Sequence, residues 1–216
     1  MPKATRRLST YVGVYWDSLY QASGRDYGDG RSLISTYASI GGANLSGGLW
    51  HSHSDDGDFD PVELDITLWH TIDNFKVTVR YTHLRYPNHF RDSELRWFLK
   101  WSNLIYGADL EFRNVYSVIE NGHFQWVMLS RNFSVGKSWT ITPYFEFGMN
   151  QAYDSSAHDG ANHITARLTA SYAFTDNFGA YLYGAYNEAI GRDSNASGDR
   201  RLRNFWHTGI GLEWTY

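Results

Sequence analysis

The sequence predicts an all-β fold, a single up-and-down antiparallel transmembrane β-barrel of twelve strands. Three observations predict it: segments in which polar and apolar residues alternate, connections that are alternately tight and long, and an unusual composition. Aromatic residues make up 17% of the 216 residues, whereas only 42% of the chain is hydrophobic. A membrane barrel accounts for this composition, because only alternate residues of each strand need be apolar and aromatic girdles lie at both interfaces.

The alternation is clearest where Val62, Leu64, Ile66 and Leu68 are separated by more polar neighbours. Clear strands are predicted at roughly 62–69, 75–82, 94–101, 104–113, 139–150 and 163–172. Weaker strands are predicted at roughly 8–20, 31–41, 44–53, 122–132, 177–188 and 203–216. Ten strands are the alternative, if two weak N-terminal segments belong to loops. In segment 122–132 the pattern does not decide which of the two faces points outward.

The connections add independent support, because every second junction is short. Short junctions are predicted at residues 41–43, 72–74, 102–103, 132–137 and 175–177. Longer ones, rich in Gly and Asp, are predicted at residues 21–30, 54–60, 85–92, 117–121, 153–160 and 189–202. Short turns at one end and longer loops at the other are typical of outer-membrane barrels. Twelve strands place both termini at the short-turn, periplasmic end.

A two-residue turn at Ser102 and Asn103 predicts a specific register for the hairpin on either side of it. Arg96 would then face Asp109. In the same register Phe98 would cover the strand glycine Gly107. Two glutamates, Glu94 and Glu111, would lie opposite each other, which is unfavourable unless arginines or water intervene.

Composition excludes several other classes of protein. No run approaches eighteen apolar residues, so a transmembrane helix is excluded. The chain has no cysteine, so it has no disulfide framework and no thiolate site. Its net charge of −4 argues against nucleic acid as a partner. We expect one domain over residues 1–216, with residues 1–7 a flexible N-terminal segment. That segment is basic but lacks the apolar core of a signal peptide, so either the chain begins near its mature start or it never had one.

The chain's last residues carry a resemblance. Gly211-Leu212-Glu213-Trp214-Thr215-Tyr216 is similar to the C-terminal signature of bacterial outer-membrane barrels, a glycine followed by alternating aromatics, although Gly209 stands where a polar residue is usual. More loosely, stretches 86–88, 92–95 and 205–216 resemble small porin-like barrels of unassigned function. The strand count is shared with small channels for acidic oligosaccharides and nucleosides. The resemblance implies an outer-membrane location, contact with membrane lipid and lipopolysaccharide, and recognition by the barrel-insertion machinery.

Charged residues on the polar faces are the candidate site. We expect twelve of them to line a pore: Glu63, Asp65, Lys76, Arg80, Glu94, Arg96, Lys100, Asp109, Glu111, Arg113, Glu146 and Arg167. They are either the walls of a water-filled channel or the paired charges of a plugged lumen. Strands about 4.8 Å apart, tilted by about 40°, give a backbone radius of roughly 12 Å. Glycines expected to open space on the same face, or to permit a bend, are Gly13, Gly48, Gly107, Gly148, Gly179, Gly209 and Gly211.

Other candidate sites have weaker patterns. His51 and His53 share one strand face and suit zinc or copper, but the sequence fixes no third ligand, so no metal site and no cofactor are predicted. The acidic run at residues 55–60 lacks the distal glutamate of an EF-hand and is interpreted as a solvated loop. Candidate bases for a membrane-embedded hydrolase are His83, His123, His163 and His207, without a spacing that selects a nucleophile.

The predicted function is therefore a narrow porin-like channel of the bacterial outer membrane, not an enzyme, through which small polar or ionic solutes diffuse passively. An embedded hydrolase and a non-conducting structural, adhesive or designed barrel are the alternatives. A soluble ligand-binding barrel would need an apolar lumen and a charged outer face. Charges placed opposite Trp97, Trp101 and Phe147 argue against that arrangement.

Overall fold

The computed structural model describes residues 8–57, 59–86 and 91–216. Twelve long strands account for most of them. They are β1 (Ser9–Asp17), β2 (Leu33–Gly42), β3 (Leu45–Ser54), β4 (Val62–Ile72), β5 (Phe75–Arg85), β6 (Arg91–Ile105), β7 (Ala108–Ser117), β8 (Gly122–Arg131), β9 (Trp139–Gln151), β10 (Gly160–Ala173), β11 (Phe178–Ala189) and β12 (Phe205–Thr215). An additional three-residue strand, Phe133–Val135, pairs with the start of β9.

The strands form a closed antiparallel barrel. Each strand pairs with the next one along the chain, and β12 pairs with β1 from Tyr11 opposite Thr215 to Asp17 opposite Gly209. Closure leaves no unpaired edge, so the backbone N–H and C=O groups of every strand have neighbours on both sides. The prediction of twelve strands is confirmed, and the ten-strand alternative is wrong because both weak N-terminal segments are strands of the barrel.

Side-chain exposure shows which face of each strand points outward. In β4 the apolar Leu64, Ile66 and Leu68 are 53%, 57% and 55% exposed, whereas Asp65 and Thr67 between them are only 4% and 6% exposed. A soluble protein shows the reverse, with its apolar residues buried. The same order recurs around the barrel, so the apolar face of the sheet forms the outer wall and the polar face encloses the interior.

The two ends of the barrel differ as the sequence predicts. At one end, turns of only two residues separate β2 from β3 and β4 from β5, and the short connections 132–138 and 174–177 lie at the same end. At the other end lie longer connections, such as residues 18–32 and 190–204. The second of these contains a short 3-10 helix, Ser197–Arg201. Among the described residues, no helix is long and apolar enough to cross a membrane.

The register predicted for the β6–β7 hairpin is wrong. The strand continues past Ser102 and Asn103 and turns at Tyr106 and Gly107, whose φ angles are 51° and 78°. Two positive φ angles in succession are typical of a type I′ hairpin turn. Asn103, with a φ of 55°, lies in a bulge where the pairing shifts. Asparagine is common in turns because it tolerates a left-handed backbone conformation, but here Asn103 adopts that conformation in a bulge within the strand.

The corrected register removes the unfavourable contacts that the predicted one contained. Lys100 lies opposite Glu111, and Arg96 lies opposite Val115. Glu94 pairs with Ser117 and no longer faces a second glutamate. Phe98 does not cover Gly107, which is in the turn. Opposite charges across the hairpin are more favourable than the predicted glutamate pair.

The structure also assigns the faces of β8, which the sequence left open. Phe124 lies opposite Val115 and Asn150, on the inner wall, and is fully buried. Trp126 and Met128 follow on the same face, while Val127 and Leu129 are 42% and 48% exposed on the outside. The larger side chains of this segment therefore fill the interior and the smaller aliphatic ones form the outer wall.

The β6–β7 turn gives a test of the register. Replacing Gly107 by valine places a β-branched residue at a φ of 78°, which costs about 2 kcal/mol of unfolding free energy. We expect that loss in denaturant titrations of the refolded protein followed by tryptophan fluorescence. Gly184→Ala is the control, because no atom lies within 4 Å of the added Cβ and we expect little change. Equal stability of Gly107→Val and the original chain would contradict the assigned turn.

Candidate functional site: the barrel interior

All twelve charged residues predicted to line a pore are on the inner wall. Their strand positions alternate with the exposed apolar residues, as the pairing of neighbouring strands requires. Two further charged residues near the tight-turn end lie on opposite faces of the sheet. Glu213 faces inward and accepts a hydrogen bond of 2.7 Å from the hydroxyl of Tyr11. Arg131 lies on the outer face at the tight-turn end, over the ring of Phe133 at 4.6 Å.

Most of these charges are paired, either within one strand or across the inner wall. Arg96 is the most connected of them: its guanidinium lies 3.1 Å from Glu63 and 2.6 Å from Glu94. The Tyr153 hydroxyl, from a long loop, donates a 2.5 Å hydrogen bond to Glu94. Further pairs are Arg80–Asp65 at 3.8 Å, Lys100–Asp109 at 2.8 Å, Arg113–Glu111 at 2.6 Å and His163–Glu146 at 2.8 Å. Pairing therefore satisfies most of the inner charges.

Two cations of the set have no carboxylate within 4 Å in the described part of the chain, and both lie over aromatic rings instead. Lys76 Nζ is 5.5 Å from the Trp69 ring centroid. The Arg167 guanidinium is 3.7 Å from the Tyr183 ring centroid, and its Nε donates to the Thr169 hydroxyl at 3.1 Å. Each cation–π contact supplies part of the stabilisation that a carboxylate partner would give.

Paired charges do not fill the barrel. A cavity of about 1090 Å³ extends from the long loops to the middle of the inner wall. Its wall combines charge with aromatic rings: Phe98 lies between the guanidinium groups of Arg80 and Arg113, whose centres are 5.6 and 5.5 Å from its ring centroid. Trp50 and Trp126 belong to the same wall. Such a surface can contact both ionic groups and the faces of ring-shaped solutes.

A second, smaller cavity of about 270 Å³ lies beside the first. Arg167 and Tyr183 belong to its wall, together with Asp17, which accepts a 2.5 Å hydrogen bond from the Tyr183 hydroxyl. Tyr20 and Gln21 line both cavities. Because these two residues belong to the loop 18–32, that loop bends into the mouth of the barrel and separates the two spaces.

Arg25 anchors this inward loop. Its side chain is fully buried, 3.1 Å from Asp199 and 3.6 Å from Asp154 on two other long loops. Asp199 is also contacted by His158 Nδ1 at 2.5 Å, and the backbone of Arg25 forms an isolated bridge with Leu202. A buried charge is tolerated only where its partners compensate its desolvation, so these contacts fix the position of the loop.

The pKa shifts of side chains in the long loops agree with this anchoring. Burial by itself would raise the pKa of Asp199, but the Asp193 backbone N–H, His158 and Arg25 together hold that pKa below its usual value. Asp199 is therefore ionised and available to Arg25 at neutral pH. Burial raises the pKa of Tyr27, in the inward loop, to about 12, so its hydroxyl is neutral.

The inward loop also contacts the barrel wall directly. Ser23 and Gly24, with φ angles of 49° and 72°, form the turn of a two-residue hairpin. The Asn187 side chain donates a 3.1 Å hydrogen bond to the Gly24 carbonyl. A Cβ added to Gly24 would lie 2.4 Å from the ring of His163, so only glycine permits this approach.

The inner-wall glycines have a different role from the predicted one. Most do not open space, because neighbouring side chains lie across them. A Cβ at Gly13 would meet the Tyr15 hydroxyl, and one at Gly211 would meet Tyr181. Gly48, Gly148 and Gly209 are similarly covered by Tyr37 and Asp65, by His163, and by Asp17 and Tyr183. Glycine therefore lets large side chains lie flat against the wall, and Gly107 is in the turn.

The histidines considered for metal binding lie on the outer face near the long loops. His51 Nε2 and His53 Nδ1 are 2.6 and 3.5 Å from the same Asp60 oxygen. Hydrogen bonding from His51, the largest contribution, holds the pKa of Asp60 below its usual value. Among the described residues, no group of three or more His, Asp or Glu side chains is arranged to hold a metal ion.

The acidic run does not form a single site. Asp55 accepts a hydrogen bond from Ser32, and Asp56 pairs with Arg31 and accepts one from Ser54. Asp58 lies outside the described residues. The described carboxylates thus have separate partners.

The four hydrolase candidates occupy unrelated positions. His83 and His123 face outward, with Nδ1 at 3.3 Å from the Ser93 hydroxyl and 3.2 Å from the Asn114 amide nitrogen. His163 is buried on the inner wall against Glu146. His207 is also on the inner wall, and its Nδ1 has no hydrogen-bond partner among the residues that the structure describes. The described residues bring no acidic group to the His83–Ser93 pair to orient its imidazole.

The barrel is similar to solved porin and channel structures. The KdgM porin superposes with a TM-score of 0.66 at 10% identity, over 95% of this chain and 99% of that one. This chain has the porin fold. The NanC porin gives a TM-score of 0.61 at 10% identity, over 96% and 99% of the two chains. An outer membrane channel from Pseudomonas putida F1 gives 0.57 at 10% identity, over 100% and 99%. No protein-family model and no curated protein matches the sequence.

Within this porin fold, sequence reasoning missed the residues that hold the loop in the lumen. Arg25 and Asp199 are 174 positions apart, and no local pattern links them. The Ser23-Gly24 dipeptide was the available signal, since such pairs favour tight turns, and it marks the hairpin that enters the barrel.

Removing the Arg25 anchor should release the inward loop. We expect Arg25→Gln to increase the rate of chymotrypsin cleavage at Tyr20 and Tyr27 by more than about tenfold, because it leaves Asp199 buried without its cation. Mass spectrometry of timed digests measures the cleavage. Arg31→Gln is the control: Arg31 of the same loop pairs with Asp56, and both side chains are 38% exposed, so its effect should be small. Equal cleavage of Arg25→Gln and the original chain would contradict the anchoring role.

Proposed function

We propose that this chain is a channel in the bacterial outer membrane, through which small polar or ionic solutes diffuse passively. The cavity of about 1090 Å³ carries the proposal, because it joins the long loops to the inner wall at Phe98 and Arg113. In the smallest barrels, side chains fill the interior completely. Twelve strands enclose more space than their own side chains occupy, and the polar wall of that space suits water and hydrated solutes.

The charge distribution supports mild selectivity. Six of the twelve proposed pore-lining residues are cationic and six are anionic. Nearly all the anions lie within a few ångströms of a cation, which weakens the net field acting on a passing solute. The six positive and six negative charges sum to zero, so these twelve residues give the wall no net charge. We therefore expect anions and cations both to pass, with only mild selectivity.

The inward loop sets the size limit in this proposal. It lies between the two cavities, so a solute must pass on one side of Tyr20 and Gln21. The buried contacts of Arg25 keep the loop in place, which makes the constriction a fixed element of the channel. Short, narrow solutes fit such a path better than folded or branched ones.

The membrane partners follow from the outer wall and the C-terminus. The outer face is apolar, and Trp214 stacks on Phe178 at 4.7 Å between ring centroids near the tight-turn end, as in an aromatic girdle. We infer contact with membrane lipid along this wall and with lipopolysaccharide at the long-loop end. The segment 211–216, which ends on the exposed Tyr216, is the proposed signal for the barrel-insertion machinery.

Reversing one inner charge tests the conduction path. Arg113→Glu should raise the permeability of K⁺ relative to Cl⁻ by at least about fivefold, because a single unit charge about 4 Å from an ion in water already contributes about 1 kcal/mol and the substitution changes the charge by two units. Reversal potentials across planar bilayers under a KCl gradient measure this ratio. Arg131→Glu is the matched control: it makes the same charge change on the outer face and should leave the ratio unchanged.

Two outcomes would contradict the channel proposal. One is an absence of unitary current from protein whose heat-dependent gel mobility shows a folded barrel. The other is an equal shift in selectivity for Arg113→Glu and Arg131→Glu, since that would place the conduction path outside the described lumen.

A further inference from the structure

Charge is nearly absent from the outer wall, and where it occurs it lies at strand ends. Within the twelve strands, the charged residues that point outward are Arg85, Arg91, Arg131 and Glu188. Two of these, Arg85 and Arg91, lie directly opposite each other as the last residue of β5 and the first residue of β6. Both are exposed, and in the described part of the chain neither has a carboxylate within 4 Å.

Such a pair is unfavourable by itself. Directly opposed residues of an antiparallel ladder have Cβ atoms about 5 Å apart, and like charges at that spacing repel. An anion placed between the two guanidinium groups removes the repulsion, and a phosphate accepts paired hydrogen bonds from each planar fork. The arrangement therefore favours a doubly charged oxyanion over solvent alone.

The position of Arg85 and Arg91 along the barrel axis indicates the source of that anion. From Phe75 at the tight-turn end to Arg85, ten residues of tilted strand span about 26 Å along the barrel axis. The apolar band of a membrane barrel is about 25 Å tall, so the two arginines lie at its upper boundary, where lipid headgroups begin. On β6 the outward series likewise changes from Leu95 to Ser93 and then Arg91.

Polar side chains lie directly below the arginines, on the same outer face. Ser93 Oγ is 3.1 Å from the Tyr81 hydroxyl and 3.3 Å from His83 Nδ1. Tyr81 itself is 48% exposed. These groups supply further donors and acceptors for the sugar hydroxyls of a headgroup, next to the point where the phosphate would bind.

We propose that Arg85 and Arg91 form a binding site for a phosphate of the lipid A headgroup of lipopolysaccharide, with Tyr81, His83 and Ser93 contacting its sugar. The site rests on the membrane location proposed above and not on conduction. It assigns the long-loop end of β5 and β6 as the part of the outer wall that holds one lipid molecule specifically.

Native mass spectrometry of the refolded protein in detergent with diphosphoryl lipid A tests the site. The double variant Arg85→Gln/Arg91→Gln should retain at least about tenfold less bound lipid than the original chain, as expected for the loss of charge-assisted hydrogen bonds. Arg131→Gln, which removes an outward arginine at the opposite end, should retain as much as the original chain.

Two further arms use the original chain and so do not depend on the folding of a variant. Lipid A stripped of its phosphates should bind at least about tenfold more weakly than the diphosphoryl form. Millimolar inorganic phosphate should not displace the bound lipid. Equal retention by the double variant, equal binding of the dephosphorylated lipid, or displacement by free phosphate would each overturn the proposal.

Conductance separates this proposal from the channel. In bilayers of phosphatidylcholine the double variant should conduct like the original chain, because both substituted residues are on the outer face. A chain that conducts but shows no preference for phosphorylated lipid would overturn only the lipid site. A chain that binds the lipid but does not conduct would overturn only the channel.

Discussion

The barrel depends on one constraint: no backbone polar group of a strand can be left without a partner where it faces lipid. Pairing of β1 with β12 meets this constraint by closing the sheet. Once the sheet is closed, the alternation of side chains divides every strand into a lipid face and an inner face. Ile66 and Asp65 are neighbours in sequence, yet one is 57% exposed on the outer wall and the other is buried inside. The confinement of charge to the lumen and to the strand ends follows from that division.

Inside the closed sheet, two sets of interactions determine how much space is left. Ion pairs such as those of Arg96 with Glu63 and Glu94 hold side chains against the wall, and glycines let aromatic rings lie flat beside them. The loop 18–32 then occupies part of the mouth, where Arg25 holds it to Asp199. The result is a twelve-stranded barrel with paired charges on its inner wall and a cavity of about 1090 Å³ that extends from the long loops to the middle of that wall. Paired charges and an internal cavity are both present in the structure.

Features that depend on residues close together in sequence could be predicted, and features that depend on contacts between distant residues could not. Period-two alternation is local, so the strands and the inward direction of residues such as Glu63 and Arg167 could be predicted. The faces of β8 could not, because both are apolar and only pairing with β7 and β9 decides between them. The β6–β7 turn was misplaced because Asn103 adopts a turn-like φ inside a bulge. The Arg25 anchor joins loops far apart in sequence, and no local pattern encodes such a contact.

In this barrel, adjacent residues of one strand meet water and lipid alternately. Cysteine labelling tests it directly, because the chain has no cysteine of its own. Four single-cysteine variants cover successive positions of β10: Leu168→Cys, Thr169→Cys, Ala170→Cys and Ser171→Cys. A charged, membrane-impermeant thiol reagent should react with the cysteines at 169 and 171 and reduce the unitary current, and should leave those at 168 and 170 unmodified. Equal labelling at all four positions, or labelling confined to 168 and 170, would contradict the account.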